Sequence, residues 1–344
     1  YLRRLMRAVV LVGGFGTRLR PLTNHSPKPM LPVGHRPMIE LLVDRLARGG
    51  VTDVVLALGF KPEPFMEAFP DGKCGDVNLT YAVEPEPLDT GGAIRFAAES
   101  AGINDTFVVA NGDVLTDLSV ADLVAAHRSR NAEATLHLIG VDEPSAFGVV
   151  ALDGPANGGI GRIVDFVEKP DPGTEPSNLV NAGTYVFEPS VLDLIGAGER
   201  VSIERSVFPE LVERAGLYGF TTEDYWIDAG RPELYRAANL DLLTDRRVFD
   251  RCEAIAPTAM VSSSATITNS IVGDSVEVGN GAEIIDSVLL AGARVGAGAR
   301  ITTSLVMGSV EATAEVMGSI VGAEGMVPAG SRLIDGALPD PASA

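Results

Sequence analysis

Residues 9–28 read VVLVGGFGTRLRPLTNHSPK. Four apolar residues, as in a buried strand, run directly into Gly13, Gly14 and Gly16. Three side chains are missing where the chain leaves the strand, so backbone amides can approach an anion and point at it. Arg18 and Lys28 follow, one a planar fork of donors and the other a compact point charge. On their own the glycines also fit a surface turn. Neither common phosphate loop is present. A Walker loop would need Gly-Lys-Ser/Thr, and G-x-G-x-x-G breaks because Gly16 is followed by Thr17, Arg18 and Leu19.

Outward from this loop, strand-like and helix-like runs alternate. Strands are expected over 8–12, 54–58, 106–110, 135–141, 147–152, 164–167 and 184–187, and helices over 92–100, 120–130, 203–215 and 232–244. A further helix puts Ile39, Leu42, Val43, Leu46 and Ala47 on one face and stops at Gly49 and Gly50. The alternation predicts an α/β domain with a Rossmann-like, mainly parallel sheet over residues 6–243. Ligands of such sheets sit beyond the carboxyl ends of the strands, where the glycine loop lies.

Composition narrows the class. The 344 residues carry a formal charge of −19, which repels nucleic acid and anionic membrane surfaces, so neither is expected as a partner. With no apolar run of membrane-spanning length and no leader pattern, the expected location is the cytoplasm. Cys74 and Cys252 fit no metal or redox spacing and read as idle thiols.

Isolated polar groups stand at other strand ends. Asn111, Gly112 and Asp113 follow an apolar strand, and Asp228 lies between Trp226 and Gly230 ahead of a helix. Either aspartate could be an ordinary turn residue. A carboxylate at such a position also suits a magnesium ion on triphosphate oxygens. Glu168 and Lys169 are adjacent at another strand end, and an exposed ion pair is the plain alternative.

Taken together, these stretches resemble the sugar-nucleotide pyrophosphorylases, the nucleotidyltransferases whose signature is G-G-x-G-T-R-L-x-P-L-T…P-K-P. It is matched from Gly13 to Thr23 and again by Pro27, Lys28 and Pro29. The resemblance implies transfer of a nucleotidyl group from an NTP to a sugar 1-phosphate with loss of pyrophosphate. It implies catalytic roles for Arg18, Lys28, Asp113 and Asp228, with Mg2+ on the two aspartates. Leu11, Gly13, Gly14, Gly16, Thr17, Glu84, Leu88, Thr90, Gly91 and Asn111 would surround the nucleotide. Gly148, Glu168, Lys169, Asn181 and Gly183 would receive the sugar phosphate. Asp89 stands where many members carry glycine. Within the family the whole pattern looks most like the enzymes that join GTP to mannose 1-phosphate; those making dTDP- or UDP-glucose are the alternative, and a non-catalytic homologue is a third reading. The five charged residues such a homologue would lose, Arg18, Lys28, Asp113, Lys169 and Asp228, are all present.

The C-terminal part is periodic. Residues 266–273 (TITNSIVG), 283–290 (EIIDSVLL) and 300–307 (RITTSLVM) superimpose at steps of seventeen, and 315–322 (EVMGSIVG) follows after fifteen. Six-residue steps inside each coil predict a left-handed parallel β-helix of hexapeptide repeats over 258–332, after a linker at 244–257 and before a tail at 333–344. An acyltransferase half would need a histidine base, and all four histidines lie before residue 244. The solenoid therefore reads as structural, with homo-oligomer contacts.

Overall fold

The computed structural model describes residues 6–14, 16–59, 62–154, 158–247 and 250–341. Phe15 of the glycine loop, and residues 342–344 of the expected tail, lie outside the described residues. The chain divides into two compact units. One comprises the described residues up to Gly13 together with Leu42–Trp226; the other comprises Gly14–Leu41 and Ile227 onward.

The first unit is built on a ten-stranded sheet: β1 (Met6–Leu11), β2 (Val51–Leu58), β3 (Lys73–Cys74), β4 (Val77–Val83), β5 (Phe107–Asn111), β6 (Ala134–Gly140), β7 (Gly148–Asp153), β8 (Gly159–Glu168), β9 (Leu179–Phe187) and β10 (Leu217–Thr222). Its spatial order is β7-β8-β10-β6-β9-β5-β1-β2-β4-β3. The block β5-β1-β2-β4 is parallel, as is β10 with β6. The other neighbours run antiparallel, so the sheet is mixed and only its glycine-loop half matches the parallel expectation. The reason is the connections. The loop between β7 and β8 is too short to hold a crossover helix, so β8 folds back on β7, and β9 pairs antiparallel with β5, β6 and, at Val180, β7. β4 and β10, absent from the sequence expectation, alternate buried and less buried residues and lack the continuous apolar run of β1 or β5.

The α-helices among the described residues are α1 (Met38–Arg48), α2 (Glu63–Ala68), α3 (Asp89–Ser100), α4 (Val120–Arg130), α5 (Phe208–Glu213) and α6 (Pro232–Leu240). The helix expected over 203–215 is a π-helical turn at Ile203–Val207 that continues into α5. Fully buried Phe107, Tyr185, Phe187 and Phe208 interlock edge-to-face and stacked at 5.4–6.3 Å between ring centroids. Each buried ring of this kind stabilises the fold by roughly 1.5–3 kcal/mol.

His137 on β6 is also fully buried, with its Nε2 2.9 Å from the hydroxyl of Thr222. Burial, reinforced by the Arg45 guanidinium, pushes its imidazole down to about 3. The unfolded chain takes up this proton near pH 6.5 and the folded chain does not. The stabilisation is thus complete above about pH 6.5 and declines at about 1.4 kcal/mol per pH unit as pH falls toward 3. His137→Gln should flatten the dependence of the thermal midpoint on pH between 6.5 and 5; parallel curves for variant and wild type would exclude His137 as the source.

In the second unit the solenoid presents three parallel faces. They are the rungs from Met260–Val261 to Met326–Val327, from Thr266–Thr268 to Arg332–Ile334, and from Ile271–Val272 to Ala337–Leu338. Val278, Val295, Val310 and Val327 stack inward on one face, and Val272, Leu289, Val306 and Val321 on another. Each coil turns at a residue in the left-handed region (Asn269, Asp286, Thr303, Gly318, Asp335). In the first four coils a buried serine comes next. The Oγ atoms of Ser270, Ser287 and Ser304 each accept the N–H of the serine in the following coil at 3.0–3.1 Å. Coils run from a bridge at Ile255 to Leu338, beyond both limits read from the repeats. The last rung reads Asp335-Gly336-Ala337-Leu338 in place of Ser-Ile-Val, so the periodicity fades before the fold does. The expected linker is also anchored: Arg247 and Asp250 form a buried pair at 2.9 Å, and His35 Nε2 lies 2.8 Å from the Glu253 carbonyl.

Candidate active site

In the first unit the predicted residues gather at the carboxyl ends of β1 and β5 and around a bulge in β9. Leu11 pairs with Asn111, and the Leu11 carbonyl accepts the N–H of Gly112 at 2.9 Å. The β9–β6 pairing slips between Asn181 and Tyr185, so several β9 residues face His137 alone. Gly183 makes this bulge at φ 76, where a methyl group would also lie 2.7 Å from the Asn111 amide nitrogen. The Asn181 side chain accepts the Gly183 N–H and donates to the Tyr185 hydroxyl, both at 3.0 Å. The bulge exposes the Ala182 carbonyl to Trp226, whose indole N–H donates to it at 2.9 Å. Trp226 in turn packs edge-to-face on Phe147 at 5.5 Å.

Electrostatics tie three predicted residues together. Burial first, and then the charges of Glu204, Glu168 and Asp113, hold the Tyr185 phenol protonated. Asp113, Glu168 and Asn181 thus all bear on one buried hydroxyl. Neither Tyr185 nor Glu204 was among the expected site residues. Tyr185, four residues after Asn181 in a strand, reads in sequence as plain core. Lys169 sits at φ 51 with its Nζ 3.2 Å from Glu168, and the Glu168 side chain is largely covered. Gly148 is required by the same cluster, since a methyl group there would lie 2.6 Å from the Phe166 ring and 2.9 Å from the Glu168 carboxylate.

The expected nucleobase loop is largely engaged with its own unit. Buried Glu84 accepts the Leu88 N–H at 2.9 Å, and burial raises its carboxyl above the usual range despite that bond. The Leu88 side chain is interior. Thr90 donates to Glu204 and accepts from the Ile203 N–H, while the Gly91 N–H donates to the Val201 carbonyl. Asp89 has φ 61 and braces itself by accepting the Thr90 N–H at 2.8 Å. Glycine adopts that backbone freely and aspartate tolerates it, which accounts for the departure noted in the sequence. A cleft of about 350 Å³ opens at the carboxyl ends of β6 and β10, lined by 139–142, 178–179 and 221–224, and includes none of the predicted residues.

In the second unit the glycine loop and the second aspartate meet. Gly16 (φ 56) starts the short 3-10 turn Thr17–Leu19, and its carbonyl accepts the Thr23 hydroxyl at 2.8 Å. A methyl group on Gly16 would crowd Thr23 at 3.1 Å. On Gly14 it would meet nothing within 4 Å, and on Gly13 only ordinary contacts at 3.4 Å or more. Of the three glycines the protein itself demands only Gly16. Thr17 and Arg18 are exposed, and Arg18 has no hydrogen-bond or ion-pair partner among the described residues. Lys28, by contrast, is 8% exposed, with its Nζ 3.5 Å from Asp228 Oδ1, which also accepts the Gly230 N–H at 2.9 Å. Gly230 is needed here: a methyl group would lie 2.8 Å from Asp228 Oδ1 and 2.9 Å from Lys28 Nζ.

Among the described residues no group of three or more histidine, cysteine or acidic side chains could hold a metal by itself. Magnesium does not need one, because it binds through one or two carboxylates and fills its octahedron with water and phosphate oxygen.

The Nucleotidyl transferase family model matches residues 7–245, and the GlmU-like, C-terminal hexapeptide model matches 243–326. The chain belongs to the nucleotidyl transferase family. It is 39% identical over 289 residues to the mannose-1-phosphate guanylyltransferase of Mycobacterium tuberculosis, covering 80% of this chain and 77% of that one. It is 41% identical over 276 residues to the mannose-1-phosphate guanyltransferase of Schizosaccharomyces pombe, covering 80% and 73%. Among solved structures, a putative glucose-1-phosphate thymidylyltransferase from Bacillus anthracis superimposes with a TM-score of 0.63 at 25% identity, over 72% of this chain and 98% of the other. A UTP-bound UGPase from Acinetobacter baumannii shares the fold with a TM-score of 0.59 at 24% identity, over 69% and 93%. These likenesses support the α/β nucleotidyltransferase unit and the hexapeptide solenoid as the architecture of this family member. No helix in the described residues is long and apolar enough to cross a membrane.

Proposed function

We propose that this nucleotidyltransferase joins GTP to mannose 1-phosphate, forming GDP-mannose and pyrophosphate. The observation that carries the choice of substrates is the agreement of relatives named for that reaction at 39–41% identity over about four fifths of the chain. In the reaction a phosphate oxygen of the sugar 1-phosphate attacks the α-phosphorus of the triphosphate in line. The new O–P bond forms as the bond from the α-phosphorus to the bridging oxygen breaks, and pyrophosphate leaves with that electron pair. A phosphate monoester is nucleophile enough, so positioning and charge neutralisation are the work of the protein.

Arg18, with its guanidinium uncommitted, would meet the charge developing on the α-phosphate. Lys28, preset against Asp228, would hold triphosphate oxygens. Gly13 and Gly14, where nothing in the protein forbids a side chain, would admit the phosphates to the backbone. Lys169 would seat the incoming sugar phosphate, with Glu168, Gly148, Asn181 and Gly183 around the sugar. Asp113 and Asp228, hard oxygen donors, would hold the magnesium, which supplies a Lewis acid and template when bound. A homo-oligomeric state and a cytoplasmic setting belong to the same reading and rest on the sequence resemblance.

The test is pyrophosphate release in magnesium from each common NTP with a panel of sugar 1-phosphates. GTP with mannose 1-phosphate should be among the best pairs. A clear preference for dTTP or UTP with glucose 1-phosphate would replace the substrate assignment, and no release from any pair would overturn it altogether. In the active pair, Arg18→Ala should lower kcat by about 10²–10³ with little change in KM. A rise in KM alone would make Arg18 a binding residue only.

A further inference from the structure

The loop that carries Arg18 and Lys28 packs, within the second unit, on a turn of the solenoid. The turn is Gly322–Gly325, closed by the Gly325 N–H donating to the Gly322 carbonyl at 2.8 Å. A methyl group on Gly322 would lie 2.8 Å from Pro21 Cβ, 2.9 Å from Cγ and 3.1 Å from the Pro21 carbonyl oxygen. Two residues along the turn, the Glu324 carboxylate lies 3.1 Å from His25 Nε2, an ion pair whenever that imidazole is protonated, with both side chains exposed. Between these contacts Leu19 and Leu22 are buried, and the Leu22 N–H donates to the Leu19 carbonyl at 2.9 Å. Pro21 is three residues from Arg18, in the turn that follows the 3-10 segment Thr17–Leu19, and His25 is three residues from Lys28.

The solenoid does not need glycine at 322 for itself. The register of the third face aligns Gly322 with Gly273, Leu290 and Met307 of the preceding coils, each donating its N–H to the coil that follows. Leucine and methionine are thus accommodated at the same place in the repeat. Gly322 is also not among the residues with positive φ, so no special backbone requires it. What distinguishes this coil is Pro21 lying against it.

From this we infer that the Gly322–Gly325 turn is a positioning element for the nucleotide loop, acting on Arg18 and Lys28 through Pro21 and His25. The solenoid would then take part in the reaction by fixing where the loop cations stand. This rests on the proposed roles of those cations, whereas the contact itself does not.

The test pairs Gly322→Ala, which pushes a methyl group onto Pro21, with Gly273→Ala, which places one at the same register but crowds the solenoid's own backbone, 2.9 Å from the Leu289 carbonyl oxygen and 3.1 Å from the Ala291 nitrogen. Amide hydrogen exchange and steady-state kinetics are read on the full-length protein. Gly322→Ala should raise exchange in 14–28 by tenfold or more. It should also lower kcat/KM for the NTP at least tenfold, with KM for the sugar 1-phosphate within twofold. Gly273→Ala should leave exchange in 14–28 unchanged. Unchanged exchange in 14–28 for Gly322→Ala overturns the inference, as does an equal effect from Gly273→Ala. Should Gly322→Ala not fold, Glu324→Gln removes the exposed ion pair with no packing cost. It should raise exchange in 14–28 severalfold, and no change overturns the inference. Exchange is read without turnover, so a wild type that releases no pyrophosphate defeats the functional reading while leaving the positioning result to stand or fall by itself.

Discussion

Asp113→Ala is expected to lower kcat for pyrophosphate release by about a thousandfold or more while leaving the thermal midpoint within a few degrees of wild type. Two observations separate the effects. Asp113 stands two residues past the end of β5, after Gly112, and is only half-buried, so its side chain contributes little to packing. Its charge bears on the Tyr185 phenol only as a minor cause beside burial, so that hydroxyl stays protonated with or without Asp113. Removing the carboxylate therefore leaves the free fold little changed and takes away the proposed magnesium ligand in the reacting complex. Kinetics at saturating magnesium and a thermal melt in the absence of nucleotide measure the two. A loss of only a fewfold in kcat would rule out the metal role.

Lys28→Met should be nearly as damaging, with kcat down by about 10²–10³. Unlike Arg18, this lysine is committed before substrate arrives: it is nearly buried, 3.5 Å from Asp228, and packed against the Gly230 backbone. The pairing holds the cation in place without the cost of ordering a long side chain during the reaction. Lys28→Arg should fail to restore activity, because the space that excludes even a methyl group from Gly230 has no room for a guanidinium. An arginine variant with wild-type kcat would show that charge alone matters here. Part of the Lys28→Met effect should appear as lost stability, since it deprives Asp228 of its cation, so melts of both variants belong beside the kinetics.

The two aspartates differ in how far sequence could take them. Asp113 could be placed near a strand end from the apolar run before it, and β5 ends two residues ahead of it, at Asn111. The antiparallel half of the sheet was not legible, because antiparallel pairing depends on which loops are too short for a crossover, and strands such as β4 and β10 carry no continuous apolar run. Tyr185 and Glu204 escaped notice for a related reason. A tyrosine in an apolar strand and a glutamate near a serine look like core and cap until the fold sets the glutamate's charge against the buried phenol. For Thr90 and Gly91, expected beside the nucleotide, the sequence could not show that their hydrogen bonds run to Ile203, Glu204 and Val201.

Sequence by itself determined the strand-to-loop transition at Gly13, the cations at 18 and 28, both aspartates and the seventeen-residue period of the solenoid. These are local: each follows from a residue's own conformational freedom, its charge, or a repeat in which neighbouring coils bury the same position. Only the tertiary structure decided that residues 14–41 fold with the solenoid, that Lys28 rests on Asp228, and that Gly322 is small because Pro21 lies against it. Those facts join residues hundreds of positions apart, and no local propensity or period encodes which distant surface a side chain will meet.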